Sequence, residues 1–310
     1  MIDLLRQRGR AILVRREWRS PVLIGTMLLS LGLLLAGLIR GWNDLIQYQW
    51  HLDWVLLGLS SLTYSASLLL AMLGWSVIIR SLGANSTRRQ NAKIYLYSWM
   101  ARRLPTPAPY LASRILLYEE IGVPKRITSV GLLWENILLI ASSAVLVVLL
   151  LPLVSIVSDR IPIVVALAAL AVGMLFVLHP RLLTWGVNLI LRRFGKAPLE
   201  AGLRAPVAIS VLTIYALVWF AGGLILFLLI RMMYPLEWAV LPFVVQCWAL
   251  SGLVSYVAFF APFSFGVREV SLAYLLSLAM PLSVAIVVVV LMRIWNLLNE
   301  LLWAFIVYKL

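Results

Sequence analysis

Apolar residues run along this chain in long blocks separated by short polar stretches that hold most of the charge. Six blocks, 21–39, 54–79, 127–152, 161–178, 207–230 and 281–307, are long enough to cross a bilayer core of about 30 Å as helices, the form that satisfies backbone groups within one segment. Two more stretches are apolar but broken by proline or glycine. One is 93–123, "KIYLYSWMARRLPTPAPYLASRILLYEEIGV"; the other is 238–280, which contains "APFSFGVREVSLAYLL" at 261–276. Each interruption suits a helical hairpin that dips into the membrane and returns.

Basic residues set the expected orientation, because loops rich in Lys and Arg stay in the cytoplasm. Residues 1–20 carry Arg6, Arg8, Arg10, Arg15, Arg16 and Arg19, and no convincing signal-peptide cleavage pattern follows the first block, so 21–39 is expected to be a retained helix entered from a cytoplasmic N-terminus. Segment 40–53 has only Arg40 and reads as outside. Segment 80–126, with nine Lys or Arg, is inside; 153–160, with only Arg160, is outside; 179–206 is inside again. Beyond 207–230 two arrangements remain: 238–260 crosses and leaves the C-terminus outside, or 238–280 is a hairpin and the last helix returns Lys309 to the cytoplasm.

Internal comparison favours the hairpin. A Pro-interrupted segment with Arg114 is followed by "GVPKR" and a span carrying Glu135 and Asn136. A Pro/Gly-interrupted segment with Arg268 is followed by "AMPLS" and a span carrying Arg293 and Asn296. Pro124 lies 11 residues before Glu135, and Pro281 lies 12 before Arg293. The reading is an all-α polytopic membrane protein, one integral-membrane domain over 1–310. It has about six transmembrane helices and two re-entrant hairpins, in half-repeats 21–152 and 161–307 that start on opposite sides, an inverted repeat of the transporter type.

Composition agrees with a bilayer protein. The chain is 63% hydrophobic and 12% charged, with a mean hydropathy of +1.01. A net charge of +14 is then read as cytoplasmic loops facing anionic headgroups, and nucleic acid is not expected as a partner. Cys247 stands alone, so no intrachain disulfide forms, and His51 and His179 build no metal cluster. Phosphate-loop and dinucleotide fingerprints are missing, and the longest loop is too short for a nucleotide-binding domain, so no cofactor is expected.

Intramembrane charge points to function, since an ion near the bilayer centre costs about 2.5–3.5 kcal/mol on insertion scales. Glu135 lies about nine residues, or roughly 13 Å, into its span, and Arg293 a little deeper into its own. Both should face a partner or a wet cavity. Arg293, Asn296, Asn299 and Glu300 recur along one helical stripe; they would either lock helix register through internal pairing or line a substrate path. Gly266 permits a sharp turn, and the following helix should begin near Val267 with Arg268 and Glu269 in its first turn. Glu269 complements the helix dipole. Arg268 opposes it unless an acidic side chain or an anionic ligand is near, which makes this a candidate phosphate or carboxylate site; the plainer alternative pairs Arg268 with Glu269, Glu135 or a lipid headgroup. Arg114 is a candidate counterpart on the cytoplasmic side. Residues 180–200 alternate apolar and basic and read as an interfacial helix.

Pro262, Gly266, Val267, Arg268 and Glu269, followed by a small-residue helix and by Arg293, resemble the flippase-like membrane domain of the lysylphosphatidylglycerol synthase family. Pro105, Arg114, Gly122 and Glu135 resemble an earlier pattern of that family, and the similarity runs from the second span to the C-terminus. This chain departs from it in a first turn reading "PTPAP" without glycine, and it has no soluble aminoacyl-transferase domain. The resemblance implies lipid translocation, or a stand-alone partner of a glycosyltransferase or lipid-modifying enzyme. From the two together we expect an inner-membrane protein that moves an anionic or polyprenyl-linked lipid between leaflets without ATP. Arg114, Arg268, Glu135 and Arg293 would meet the headgroup or gate the path, with Gly266, Glu269, Asn296 and Asn299 in support. The rival reading is an integral-membrane transferase with Glu135 or Glu269 as base.

Overall fold

Helix is the form that closes an apolar segment's own backbone hydrogen bonds, and every regular element among the described residues is helical. A computed structural model describes residues 53–100, 108–153, 203–259 and 266–309, with isolated positions 32, 36, 39 and 188. Apart from those positions, the expected spans 21–39 and 161–178, the basic residues 1–20, the "PTPAP" turn and the interfacial segment 180–200 lie outside the described residues.

Eight α-helices follow in order: α1 (Trp54–Ser81), α2 (Arg88–Met100), α3 (Ala108–Glu120), α4 (Lys125–Leu150), α5 (Ala205–Met233), α6 (Leu241–Phe259), α7 (Val267–Leu276) and α8 (Leu282–Lys309). Polar and cyclic residues set their starts. The Asp53 carboxylate accepts from the amides of Val55 (2.9 Å) and Leu56 (3.2 Å) and opens α1. Pro124 immediately precedes α4, and a proline in the first turn opens α5.

Five of these segments are long and apolar enough to cross a membrane: those built on α1, α4, α5, α6 and α8. The expected spans 54–79, 127–152, 207–230 and 281–307 agree with α1, α4, α5 and α8 within a few residues. In 238–280 the second arm starts at Val267 as expected, but the two arms are unequal: α6 has 19 residues, about 28 Å of helix, whereas α7 has 10, about 15 Å. The first arm therefore has spanning length and the second does not. The described residues of the stretch 93–123 lie largely in two 13-residue helices, α2 (from Arg88) and α3, each too short to cross at about 20 Å.

The longest of them, α5, is the hub. It runs against α1 and also packs on α4, α6 and α8. Leu226, Phe227, Leu229 and Ile230 on it have no exposed surface. Neighbour relations repeat across the two halves: α1 packs on α2, α2 on α3, α3 on α4 and α4 on α1, while α5, α6, α7 and α8 follow the same pattern. Large apolar side chains turned outward, among them Leu62 and Leu69 on α1 and Leu298, Leu302 and Phe305 on α8, are exposed. In a helix bundle of this hydropathy that is the surface lipid tails cover.

Close approach of α5 and α6 rests on Gly223, where an added Cβ would meet the Val245 Cα at 2.6 Å. Backbone at that distance cannot swing aside as a side-chain tip can. Gly223→Ala is expected to push the helices apart and cost about 1–3 kcal/mol, read as a lower unfolding temperature of the detergent-solubilised protein. Gly58→Ala, with nothing within 4 Å of its Cβ position, should leave that temperature unchanged or raise it slightly.

Candidate functional site

In the first half, four helices meet on one buried guanidinium. Arg114 on α3 has no exposed surface. It pairs with Glu135 on α4, itself 1% exposed, and its Nε donates to Ser98 Oγ on α2 at 2.9 Å. Three rings surround it: Trp75 of α1 at 4.4 Å, Tyr95 of α2 at 4.4 Å and Tyr110 of α3 at 4.7 Å. Tyr110 also donates to the same Glu135 oxygen at 3.1 Å. Around this knot runs a chain of buried polar contacts. Trp75 Nε1 donates to Tyr118 Oη (2.7 Å), Tyr118 Oη donates to Asn91 Oδ1 (2.8 Å), and Asn91 Nδ2 donates to Ser76 Oγ (2.9 Å). Arg114 Nη2 and Glu135 Oε1 have no hydrogen-bond partner among the described residues.

Charge in the second half borders open space. A cavity of about 390 Å³ opens among α1, α2, α5, α6, α7 and α8, with Leu139 of α4 also on its wall. Gly266, in the left-handed region at φ +86°, turns the chain into α7, and its carbonyl accepts from the Val270 amide at 3.0 Å. That turn delivers Arg268 and Glu269 to the cavity wall. Glu269 accepts from Arg293 of α8 at 2.8 Å, with the Arg293 side chain 44% exposed. The Arg268 guanidinium lies over the Trp248 ring at 3.9 Å and nearer the edge of Trp219's reach at 5.8 Å. Facing them, Glu300 accepts from Trp99 Nε1 at 3.1 Å, and Trp99 stacks on Tyr95 with centroids 5.6 Å apart. The wall thus balances two arginines against two carboxylates, on an aromatic lining from α2, α5 and α6. Phosphate, hydroxyl and amine groups are the chemistry such a wall can hold.

Four of the eight residues singled out in the sequence, Arg268, Glu269, Arg293 and Asn296, line this one cavity. Gly266 turns the chain into it. Arg114 and Glu135 meet each other in the first-half knot and do not line it; Tyr95 separates them from it, touching Arg114 on one side and the cavity on the other. Asn299 donates to its own helix at the Trp295 carbonyl, 2.9 Å away. Sequence reasoning passed over the aromatic wall; Glu300, read only as a member of the polar stripe, lines the cavity with Arg293 and Asn296. Glycines offered a signal for the wall: Gly252 lies against the Trp219 ring and Gly222 against Trp248.

Comparison with known protein families, curated proteins and solved structures finds no match to this chain. Fold and site define a class on their own terms: a multi-pass helical membrane protein with a charged, aromatic cavity among its spanning helices. Among the described residues no group of three or more His, Cys, Asp or Glu could hold a metal ion.

Removing one ion of a buried pair leaves the other uncompensated, at about 3–5 kcal/mol. Glu135→Ala is expected to lower the unfolding temperature sharply or to prevent folded protein from accumulating. The paired replacement Arg114→Met with Glu135→Leu should be much less harmful than either single change, measured by size-exclusion profile and thermal unfolding in detergent.

Proposed function

We propose that this chain moves a lipid with an anionic or polyprenyl-linked headgroup between the leaflets of the cell's inner membrane, without ATP. The observation that carries this reading is the cavity bordered by Arg268, Glu269, Arg293 and Glu300 among helices of spanning length. Ionic side chains beside open space in a bilayer-spanning bundle mark a polar path. Arg268, held on Trp248 and Trp219 in the first turn of α7, is the group that meets the headgroup phosphate. The Glu269–Arg293 pair and Asn296 border the same passage, and the acyl or prenyl tails stay among the outward apolar side chains.

Repeated packing in the two halves supports an inverted repeat. Each half also has an ion pair between its third and fourth helices, from the middle of the third in Arg114–Glu135 and from its first turn in Glu269–Arg293, signs exchanged, and the first half adds the exposed Lys125–Glu119 pair. In the proposed arrangement the N-terminus and residues 80–126 are cytoplasmic, and the turn between α5 and α6 is outside. Partners of this activity are membrane lipids and the glycosyltransferase or lipid-modifying enzyme that makes or uses the headgroup.

Two experiments test this. In vesicles containing a headgroup-labelled fluorescent phospholipid, the reconstituted protein is expected to raise transbilayer movement with no new lipid product, and Arg268→Ala to abolish the increase while folded protein remains. New product in place of movement would favour a transferase, and full movement by the variant would remove Arg268 from the headgroup site. For topology, in a Cys247→Ser background, a cysteine at Glu237 should react with an impermeant thiol reagent in intact cells. One at Glu119 should react only in inverted vesicles; the reverse pattern overturns the orientation.

A further inference from the structure

A second recess lies away from the cavity, where α1 ends and α2 begins. Two hydrogen bonds close α1: the Gly83 amide donates to the Arg80 carbonyl at 3.0 Å and the Ala84 amide to the Ile79 carbonyl at 3.1 Å. Thr87 and Gln90 then cap α2 reciprocally, the Thr87 amide donating to Gln90 Oε1 at 2.8 Å and the Gln90 amide to Thr87 Oγ1 at 3.2 Å. Between these ends opens a space of about 470 Å³ bordered by Arg80, Ser81, Asn85, Ser86 and Arg88.

Three observations give this recess a ligand. Arg80 and Arg88 border it from opposite helix ends, both exposed, and neither has an ion pair or side-chain hydrogen bond among the described residues. Ser86 is 9% exposed, and its hydroxyl is buried without a hydrogen-bond partner, a cost of about 1–3 kcal/mol unless something in the recess meets it. Among the described residues no carboxylate borders the space, and two positive charges and the positive end of α2 face it.

We infer that this recess is a phosphate-binding site, in which the Arg80 and Arg88 guanidinium groups grip the phosphate oxygens and the Ser86 hydroxyl donates to one of them. Arginine at two points around one phosphate is a geometry that a diffuse basic surface does not supply. The site is distinct from the proposed path, since none of its residues borders the cavity. Its ligand is a phosphodiester of an anionic lipid headgroup or a small soluble phosphate, and the chemistry of recognition is the same for both.

The test uses the purified full chain in phosphatidylcholine nanodiscs, alone, with added phosphatidylglycerol, or with glycerol 3-phosphate in solution. Retained ligand is read by native mass spectrometry, and amide exchange is followed over residues 80–92. Phosphatidylglycerol is expected to be retained and to slow exchange there. Arg80→Gln with Arg88→Gln should weaken retention about tenfold or more, equal to about 1.4 kcal/mol or more, and Ser86→Ala should weaken it less. Lys125→Gln, a change at an exposed lysine already paired with Glu119, should leave retention as it was. The same dependence with glycerol 3-phosphate alone would assign the site to a soluble phosphate. No ligand-dependent protection with either probe, or equal weakening by Lys125→Gln, overturns the site. Because these readouts need no lipid movement, their failure leaves the transport proposal standing, and failure of transport leaves this one standing.

Discussion

A guanidinium enclosed by protein on every side is the constraint around which the first half of this molecule is arranged. Arg114 stays charged under all ordinary conditions, so a chain that buries it must bring a carboxylate and polarisable neighbours to it or fail to fold. Each requirement is met by a different helix: Glu135 from α4, Ser98 and Tyr95 from α2, Trp75 from α1. Lipid tails supply no such groups and give little hydrophobic force between helices. One ion thus specifies how four helices meet, where apolar contact alone would leave several arrangements nearly equal. Such pairs act more through specificity than through net stabilisation.

The second half uses the same pairing to a different end. Glu269 and Arg293 join the third and fourth helices of their half as Arg114 and Glu135 do, but at the edge of open space, with Arg293 nearly half exposed. A wet ion pair is weak because solvent competes with each partner, whereas the dry pair has no competitor. The two halves therefore differ in how readily their charges can exchange partners. Arg268, stacked on Trp248, adds a second cation to that edge.

How much of this was legible follows from which interactions are local. Four spans were readable to within a few residues because block length and flanking charge decide them. The break in 238–280 was visible too, and α7 begins at Val267 as expected; what the sequence left open is whether the first arm crosses or turns back, and α6 has spanning length. Arg114 was expected to meet a headgroup from the cytoplasmic side. Its enclosure depends on rings contributed by three helices, 39 positions apart from Trp75 and 19 from Tyr95, and no spacing rule relates such residues. An aromatic residue in an apolar run reads the same whether it faces lipid, another helix or a cavity, which is why Tyr95, Trp99, Trp219 and Trp248 drew no notice as a cavity wall.

The polar stripe on the last helix shows the same limit on a finer scale. At about 100° per residue, Asn296 and Glu300 fall within about 60° of Arg293 around the axis, whereas Asn299 falls about 120° away. The cavity admits the first three and excludes Asn299, whose amide satisfies itself on the Trp295 carbonyl. Spacing of i+3 and i+4 tolerates that spread, so a stripe read from sequence is wider than the face a cavity can use. What narrows it is the set of partner helices: Trp99 of α2 reaches Glu300, Glu269 of α7 reaches Arg293, and Trp303 Nε1 donates to Ser65 Oγ of α1 at 3.0 Å, contacts that hold the rotation of α8 about its axis. The polar path proposed here is therefore set less by the residues on α8 than by the elements that hold it in that rotation.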